Sequence, residues 1–277
     1  MRLGDGSYRY IEVPPELDEV IIGFIIEDLK LIKLCALVCR SWLVPCRRVL
    51  FREITIESEK QYDALDAVVT VSPFIQECIR VLRLDRSNRP HSINQAWIND
   101  KLAPRLSPLL INLTTIELTK IQESWKLETF THLSKLQSVT KLSMKSCSMS
   151  SAELYYFVSS FPSAEELHVD HFVDLFNNRL RIVPPNLSLP RPPLLTRLTL
   201  ASEDLPRDCG RDLLDWILEG GQKHCLRDIC MSINRRNLAK RSLFLAQLGN
   251  QLHRLELQFT RLFGRTKSDI SGKLLPS

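Results

Sequence analysis

The sequence LTRLTL, at residues 195–200, is the clearest copy of a pattern that recurs along most of this chain. In this pattern, written LxxLxL, one polar residue separates the last two apolar residues. Alternate residues of a β-strand point to the same side, so the pattern predicts a short strand with one buried face. Seven copies occur, at Ile79-Leu82-Leu84, Leu113-Ile116-Leu118, Val139-Leu142-Met144, Ala164-Leu167-Val169, Leu195-Leu198-Leu200, Leu226-Ile229-Met231 and Leu252-Leu255-Leu257.

The spacing of these copies indicates a repeat architecture. Their central residues lie at positions 82, 116, 142, 167, 198, 229 and 255, so the gaps are 34, 26, 25, 31, 31 and 26 residues. Segments between the copies, such as 151–161, 208–219 and 238–248, have apolar residues at helical spacing. Residues 56–277 are therefore predicted to form an α/β fold of short parallel strands and helices. The alternative is an ordinary α/β domain whose strands happen to begin with leucine.

Residues 56–277 resemble the leucine-rich-repeat proteins, in which each repeat contributes one strand and one returning helix. The family usually has Asn or Cys three residues after the last strand leucine. Cys147 and Asn234 fit that rule, whereas four other copies have Ile121, Phe172, Glu203 and Thr260. The resemblance therefore implies a degenerate, irregular solenoid. We expect its longest loop at residues 184–193, where the prolines forbid a helix.

Residues 13–54, VPPELDEVIIGFIIEDLKLIKLCALVCRSWLVPCRRVLFREI, follow a helical pattern instead. Pro14 and Pro15 can begin a helix, and acidic residues follow in its first turn. Apolar residues recur at spacings of three and four over residues 17–25, and again over residues 31–42. A third short helix is predicted at residues 45–50. Helices this short are not expected to enclose a core of their own, so another surface must cover their apolar faces.

Residues 11–55 resemble an F-box, most closely those of the F-box proteins abundant in fungi. The matching residues are Val13-Pro14, Glu16-Leu17, Ile21, Val38-Cys39-Arg40-Ser41-Trp42 and Leu50-Phe51. Val13 replaces the usual leucine, and Ile26, Leu29 and Leu31 stand where relatives often have polar residues or proline. The resemblance implies binding to the ligase adaptor, and through it to a cullin, by Val13, Pro14, Leu17, Ile21, Phe24, Leu37, Val38 and Trp42. The alternative is that these helices only cap the repeat domain.

One residue of each predicted strand lies between the two apolar residues and faces away from the core. If the strands line a concave surface, these residues form a target-binding face, made of Arg83, Glu117, Ser143, His168, Thr199, Cys230 and Glu256. The face mixes both signs of charge. Its charges could bind a mixed-charge protein segment, or they could pair with one another in water at small net gain.

Composition places the chain among folded intracellular proteins. It has 277 residues, 44% of them hydrophobic, and a net charge of +5. Residues 1–10 are a polar tail without the apolar core of a secretory signal, and no apolar run is long enough for a membrane helix. The eight cysteines are then expected to be free thiols in a cytoplasmic or nuclear, reducing compartment.

The C-terminal third is basic, with 17 Lys and Arg against 9 Asp and Glu in residues 179–277. Its densest cluster is Arg235, Arg236, Lys240 and Arg241. No aromatic residues interleave and no nucleic-acid fold signature is present, so a solvated basic surface is favoured over a nucleic-acid or phosphate site.

Catalytic and metal-binding patterns are missing from the sequence. There is no CxxC and no HExxH, and the nearest approaches are the pairs His168 with His171 and His224 with Cys225. We therefore expect no enzyme activity, metal or cofactor. The predicted function is the substrate-recruiting subunit of an SCF-type cullin-RING ubiquitin ligase, with an unidentified target protein. The alternatives are a non-ligase leucine-rich-repeat scaffold and, more weakly, an enzyme in the basic C-terminal third.

Overall fold

The computed structural model describes residues 14–87, 96–122, 125–171, 190–201, 213–221, 225–234 and 237–259. Within these residues the fold is α/β, with ten α-helices and one eight-stranded sheet. The chain divides into two compact units, Met1–Glu53 and Ile54–Ser277. The predicted polar tail at residues 1–10 and most of the proline-rich loop lie outside the described residues. Residues 190–193 of that loop form neither helix nor strand.

The first unit contains three short helices, α1 (Pro15–Phe24), α2 (Leu29–Cys35) and α3 (Arg40–Leu50). A proline stands in the first turn of α1, where its missing N–H is not needed. The Asp28 carboxylate caps α2, because it accepts hydrogen bonds from the backbone N–H groups of Lys30 and Leu31, both at 3.0 Å. Three helices were predicted here, and all three are present.

The predicted boundary between the second and third helices was wrong. Periodicity placed Trp42 on the second helix and started the third at Pro45, but α2 ends at Cys35 and α3 begins at Arg40. Residues 36–38 form a turn and Cys39 is extended. This break separates two apolar stripes of equal period, so spacing alone could not reveal it. Pro45 lies inside α3, where it removes one backbone hydrogen bond of the helix.

The three helices enclose a small core, contrary to the expectation that they could not. Ile22, Ile32, Cys35 and Cys46 are buried, and Trp42 packs against them together with Ile25, Ala36, Val49 and Leu50. The core is nonetheless too small to cover the apolar side chains of this unit, and many of these remain exposed.

The sheet contains the strands β1 (Glu53–Ile56), β2 (Val81–Asp85), β3 (Thr115–Thr119), β4 (Lys141–Lys145), β5 (Glu166–Asp170), β6 (Arg197–Leu200), β7 (Asp228–Ile233) and β8 (Arg254–Phe259). They lie in sequence order, and each strand from β2 to β8 is parallel to its neighbours. These seven strands are the seven copies of the LxxLxL pattern, so that prediction is confirmed.

Helices lie between the strands along the chain. They are α4 (Glu59–Val71), α5 (Pro73–Cys78), α6 (Ala103–Leu106), α7 (Leu127–Leu133), α8 (Ser151–Ser159), α9 (Leu213–Glu219) and α10 (Leu238–Leu248). A π-helical turn at Ile98–Leu102 leads directly into α6. The helices predicted at 151–161 and 238–248 are present as α8 and α10. Of the one predicted at 208–219, the described part is α9.

The strands align so that equivalent apolar residues stack across the sheet. The register pairs Leu82 with Ile116, and the same row continues through Leu142, Leu167, Leu198, Ile229 and Leu255. A second row runs parallel to it from Leu84 to Leu257. Both rows are buried from β2 to β7 and only half-buried at β8, so the core of this unit lies along one face of the sheet.

The turns after successive strands have a common geometry. Lys120, Ser146 and His171 follow β3, β4 and β5, and each has a positive φ, between 47° and 56°. The N–H of Lys120 donates to the carbonyl of Lys145, and that of Ser146 donates to the carbonyl of Asp170, both at 2.8 Å. The Cys147 thiol contacts the Leu118 carbonyl at 3.4 Å, as expected for a residue that satisfies turn backbone. Burial raises the pKa of that thiol to about 11.

A buried carboxylate joins α8 to the segment that precedes α7. Glu153 accepts hydrogen bonds from the backbone N–H of Trp125 at 2.9 Å and from the N–H of Ser150 at 2.7 Å. The Ser150 hydroxyl in turn accepts from the N–H of Glu153, which completes a capping box at the start of α8. Glu153 therefore satisfies backbone donors from two neighbouring repeats of the strand pattern.

Replacing Glu153 with Ala should lower the free energy of unfolding by about 2–4 kcal/mol, because it leaves two backbone N–H groups without their acceptor. Urea denaturation followed by circular dichroism measures this change. The control is Glu128→Ala, which removes an exposed carboxylate from the first turn of α7. Equal denaturation midpoints for the two variants would show that the buried network contributes nothing.

Candidate protein-interaction surfaces

Helix α1 has two apolar faces. One contains Ile22 and Ile25 and packs into the core of the first unit. The other contains Leu17, Val20, Ile21 and Phe24, at positions i, i+3, i+4 and i+7, and all four are exposed. Phe24 is 86% exposed, so this stripe has no partner among the described residues of its own unit. Unpartnered apolar stripes of this kind mark sites where another surface binds.

The exposed apolar stripe continues on other elements of the first unit. We call the whole group the exposed apolar set; it consists of Leu17, Val20, Ile21, Phe24, Ile26, Leu29, Leu31, Leu34, Leu37, Val38 and Val44. Leu37, in the turn after α2, is 82% exposed. Three of the four residues that depart from the F-box pattern, Ile26, Leu29 and Leu31, belong to this set, and the fourth, Val13, lies outside the described residues. These three residues therefore widen the apolar surface rather than the core.

The predicted adaptor-binding residues fall into three groups. Val13 lies outside the described residues. Pro14, Leu17, Ile21, Phe24, Leu37 and Val38 are all exposed, and three of them share one face of α1. Trp42 alone is half-buried. Val20, Leu34 and Val44 are exposed as well, although they are not among the predicted adaptor-binding residues. Helical spacing places Val20 on the same apolar face as Leu17, so its position could have been predicted.

Trp42 links α3 to α1 inside the unit. Its ring packs against the buried core, and its Nε1–H donates a hydrogen bond of 2.7 Å to the Asp18 carboxylate. Asp18 is itself buried, so the indole compensates for the loss of its hydration. Arg48 of α3 also forms an ion pair with Glu19 of α1. Trp42 therefore stabilises the unit, whether or not it also contacts an adaptor.

The second candidate surface is the polar face of the sheet. Strand register places Arg83, Glu117, Ser143, His168, Thr199, Cys230 and Glu256 side by side, one on each strand from β2 to β8. We call this line the outer row. All seven residues predicted for the target-binding face therefore lie together, although their binding role stays a prediction. Arg83 and Glu117, at one end of the row, form an ion pair of 2.8 Å.

A neighbouring row on the same face consists of charges that alternate in sign. It runs through Lys141, Glu166, Arg197, Asp228 and Arg254, and we call it the charged row. The Arg197 guanidinium contacts Glu166 at 2.8 Å and Asp228 at 3.1 Å, while Lys141 contacts Glu166 at 3.5 Å. These charges therefore pair with one another across neighbouring strands, which is one of the two alternatives that the sequence left open.

The centre of the outer row is uncharged. Ser143 is buried, and His168, Thr199 and Cys230 are half-buried. Burial lowers the pKa of His168, and the nearby Lys145 and Lys141 add to this effect, while Asp170 and Glu117 oppose it. The imidazole is therefore neutral at pH 7. A partner at this position meets hydrogen-bonding groups without a net charge.

The basic cluster near α10 is not one exposed patch. Arg241 is buried at 1% exposure, and Lys240 lies 3.9 Å from Asp215. Arg235 and Arg236 lie outside the described residues. Arg241 is buried because helical spacing places it on the same face of α10 as the buried residues Phe244 and Leu248. The described residues thus give no support to a phosphate-binding surface here.

The pairs that came closest to metal or catalytic patterns remain unassigned. The described residues include no group of three or more His, Cys, Asp or Glu that could hold a metal. His168 lies on β5 and His171 in the turn that follows it. Cys225 is half-buried, and its partner His224 lies outside the described residues. The seven described cysteines form no disulfide.

Neither a protein-family model nor a curated protein matches this chain. The resemblances to F-box and leucine-rich-repeat proteins therefore rest on the residues that carry them. Within the part of the chain that the structure describes, no helix is long and apolar enough to cross a membrane.

Trp42→Ala should destabilise the first unit by about 2–4 kcal/mol, since it removes a large side chain from the core and leaves Asp18 without its donor. Hydrogen exchange of the backbone amides of residues 17–35 measures local stability and should become faster. Leu37→Ala, at an exposed position, is the control and should leave exchange unchanged. Similar exchange in both variants would contradict the core role of Trp42.

Protonation of His168 should lower the free energy of unfolding in acid. Its pKa is lowered on folding from the ordinary value of 6.5, so the unfolded chain binds a proton more readily. As the pH falls below about 6.5, protonation therefore favours unfolding, and the free energy of unfolding decreases. His168→Gln should lose less stability than the wild type between about pH 7 and pH 5. An imidazole NMR titration with a midpoint at or above 6.5 for His168 would contradict this account.

Proposed function

We propose that this protein is the substrate-recruiting subunit of an SCF-type cullin-RING ubiquitin ligase. The first unit binds the ligase adaptor, and the second unit binds a target protein through its sheet. The chemistry of ubiquitin transfer takes place elsewhere in the complex, so the contribution of this chain is to hold the target nearby. This role requires no catalytic residue in the chain itself.

The exposed apolar set carries this proposal. Burying a leucine or phenylalanine side chain contributes about 1.5–3 kcal/mol relative to leaving it in water. The side chains of Phe24, Leu37 and Val38 are 86%, 82% and 67% exposed. Side chains of this kind around the F-box-like residues are what a docking module needs.

The second unit supports the target-binding part of the proposal. In a leucine-rich-repeat solenoid, the outer row and the charged row would line the concave face. The sequential parallel sheet and the repeated left-handed turns after β3, β4 and β5 agree with that architecture. The centre of the face is uncharged and polar, so a target segment would bind there through hydrogen bonds and shape rather than through strong charge attraction.

The direct test is the affinity of the purified chain for the ligase adaptor. The double variant Phe24→Ser with Leu37→Ser should weaken binding by about a hundredfold or more, because central apolar contacts typically contribute 2 kcal/mol or more each. A matched control is Val71→Ser with Ile111→Ser, which changes two exposed apolar residues of the second unit. Isothermal titration calorimetry measures the dissociation constants. Equal affinity for both double variants would refute adaptor docking by this surface.

Deletion separates the proposal from the scaffold alternative. A chain that lacks residues 1–52, and so keeps all of β1, should lose adaptor binding and keep its circular-dichroism spectrum for the sheet. If the sheet instead unfolds and the intact chain binds no adaptor, the first unit is a cap and the protein is a non-ligase scaffold.

A further inference from the structure

Strand β8 is the open edge of the described sheet. It pairs with β7 on one side, and no described strand pairs with its other side. The N–H of Arg254 donates to the carbonyl of Arg227 at 3.1 Å, on the side of β7. Backbone groups alternate in direction along a strand, so those of Leu255, Leu257 and Phe259 point away from the sheet. An edge of this kind is able to bind a further strand.

The apolar face of the sheet is also incomplete at β8. Leu255 and Leu257 are only half-buried, whereas the equivalent residues of β7, Ile229 and Met231, are almost fully buried. Phe259, at the end of the strand, is 56% exposed. Natural edge strands are often protected by lysine or proline, and β8 contains neither. Its six residues carry one positive and one negative charge, so no net charge keeps another strand away.

The charges at this edge indicate what the next strand must offer. The charged row ends at Arg254, whose open side is complemented by a carboxylate, and the outer row ends at Glu256, whose open side is complemented by a cation. These two side chains contact each other at 3.2 Å in a position open to solvent, where an ion pair contributes little. A strand that runs in the opposite direction, with a cation and an acid two residues apart, complements both. Strand β8 itself has this sequence.

We propose that two copies of the chain associate through their β8 strands, which pair in antiparallel orientation about a two-fold axis at Leu255. Arg254 of each copy then lies opposite Glu256 of the other, so that the four charges alternate in sign. The outward backbone groups of the two Leu255 residues form a pair of hydrogen bonds. Such a contact is isologous and closes at two copies. The polar faces of the two sheets thereby form one continuous surface.

Charge distinguishes this register from its neighbours. With the axis at Glu256, the two Glu256 carboxylates would lie opposite each other and repel. With the axis at Leu257, Glu256 would lie opposite Gln258, and Arg254 would have no counterpart within β8. The axis at Leu255 is the one of these three that pairs both charges.

Sedimentation equilibrium of the full chain at several concentrations tests this inference. The wild type should have twice the monomer mass. Arg254→Glu and Glu256→Arg should each raise the dissociation constant of the dimer about tenfold or more, because the two-fold axis turns each change into two like-charge contacts. Arg254→Glu combined with Glu256→Arg restores opposite charges and should dimerise like the wild type. Lys135→Glu, at an exposed position outside β8, is the control for the change of charge.

Each outcome decides the inference. A monomeric wild-type chain overturns it, and if a chain that ends at residue 259 then dimerises, residues 260–277 occupy the edge instead. A dimer that both single reversals leave intact forms through another surface, which also overturns the inference. If the double reversal does not restore the dimer, the register at Leu255 is wrong. Phe24→Ser with Leu37→Ser should leave the dimer intact, because otherwise the exposed apolar set joins the copies. Circular dichroism of each variant establishes that it is folded.

Discussion

Stacking of apolar residues from strand to strand is the interaction on which the second unit depends. Leu167, for example, lies between Leu142 on β4 and Leu198 on β6, and all three are almost fully buried. A single strand and helix of about thirty residues is too small to bury its own apolar face, so each repeat of the pattern depends on the next. The strands must therefore align in register, because a shift of one residue would move the leucine side chains to the face of the sheet that contacts water.

This alignment also creates the polar face. Once the leucines are fixed on one side of the sheet, the residues between them must lie in rows on the other side. Arg197 can then reach Glu166 and Asp228 on its two neighbouring strands. Exposed ion pairs of this kind contribute little to stability, about 0–1 kcal/mol each. Their main effect is to leave the centre of the face, around His168, without net charge.

The first unit, in contrast to the second, has only a small core. Four apolar residues are buried at its centre, against eleven in the exposed apolar set. Its helices are held by this small cluster and by polar contacts between α1 and α3, chiefly Trp42 with Asp18. The residues that hold the unit together are therefore not those of the exposed apolar set. Phe24 and Leu37 can therefore be changed without unfolding the unit.

The sequence by itself determined seven of the eight strands and the residues of the outer row, because a strand pattern of period two repeats seven times and assigns every side chain to a face. Strand β1 (Glu53–Ile56) lies outside that pattern and was not predicted. It also determined that residues 17–25 form an amphipathic helix. Tertiary structure alone decided where the second helix ends, that Trp42 belongs to the core, and that Leu34 faces solvent. Helical spacing is the same on both sides of the turn at residues 36–38, and only packing of the three helices shows which apolar stripe is covered.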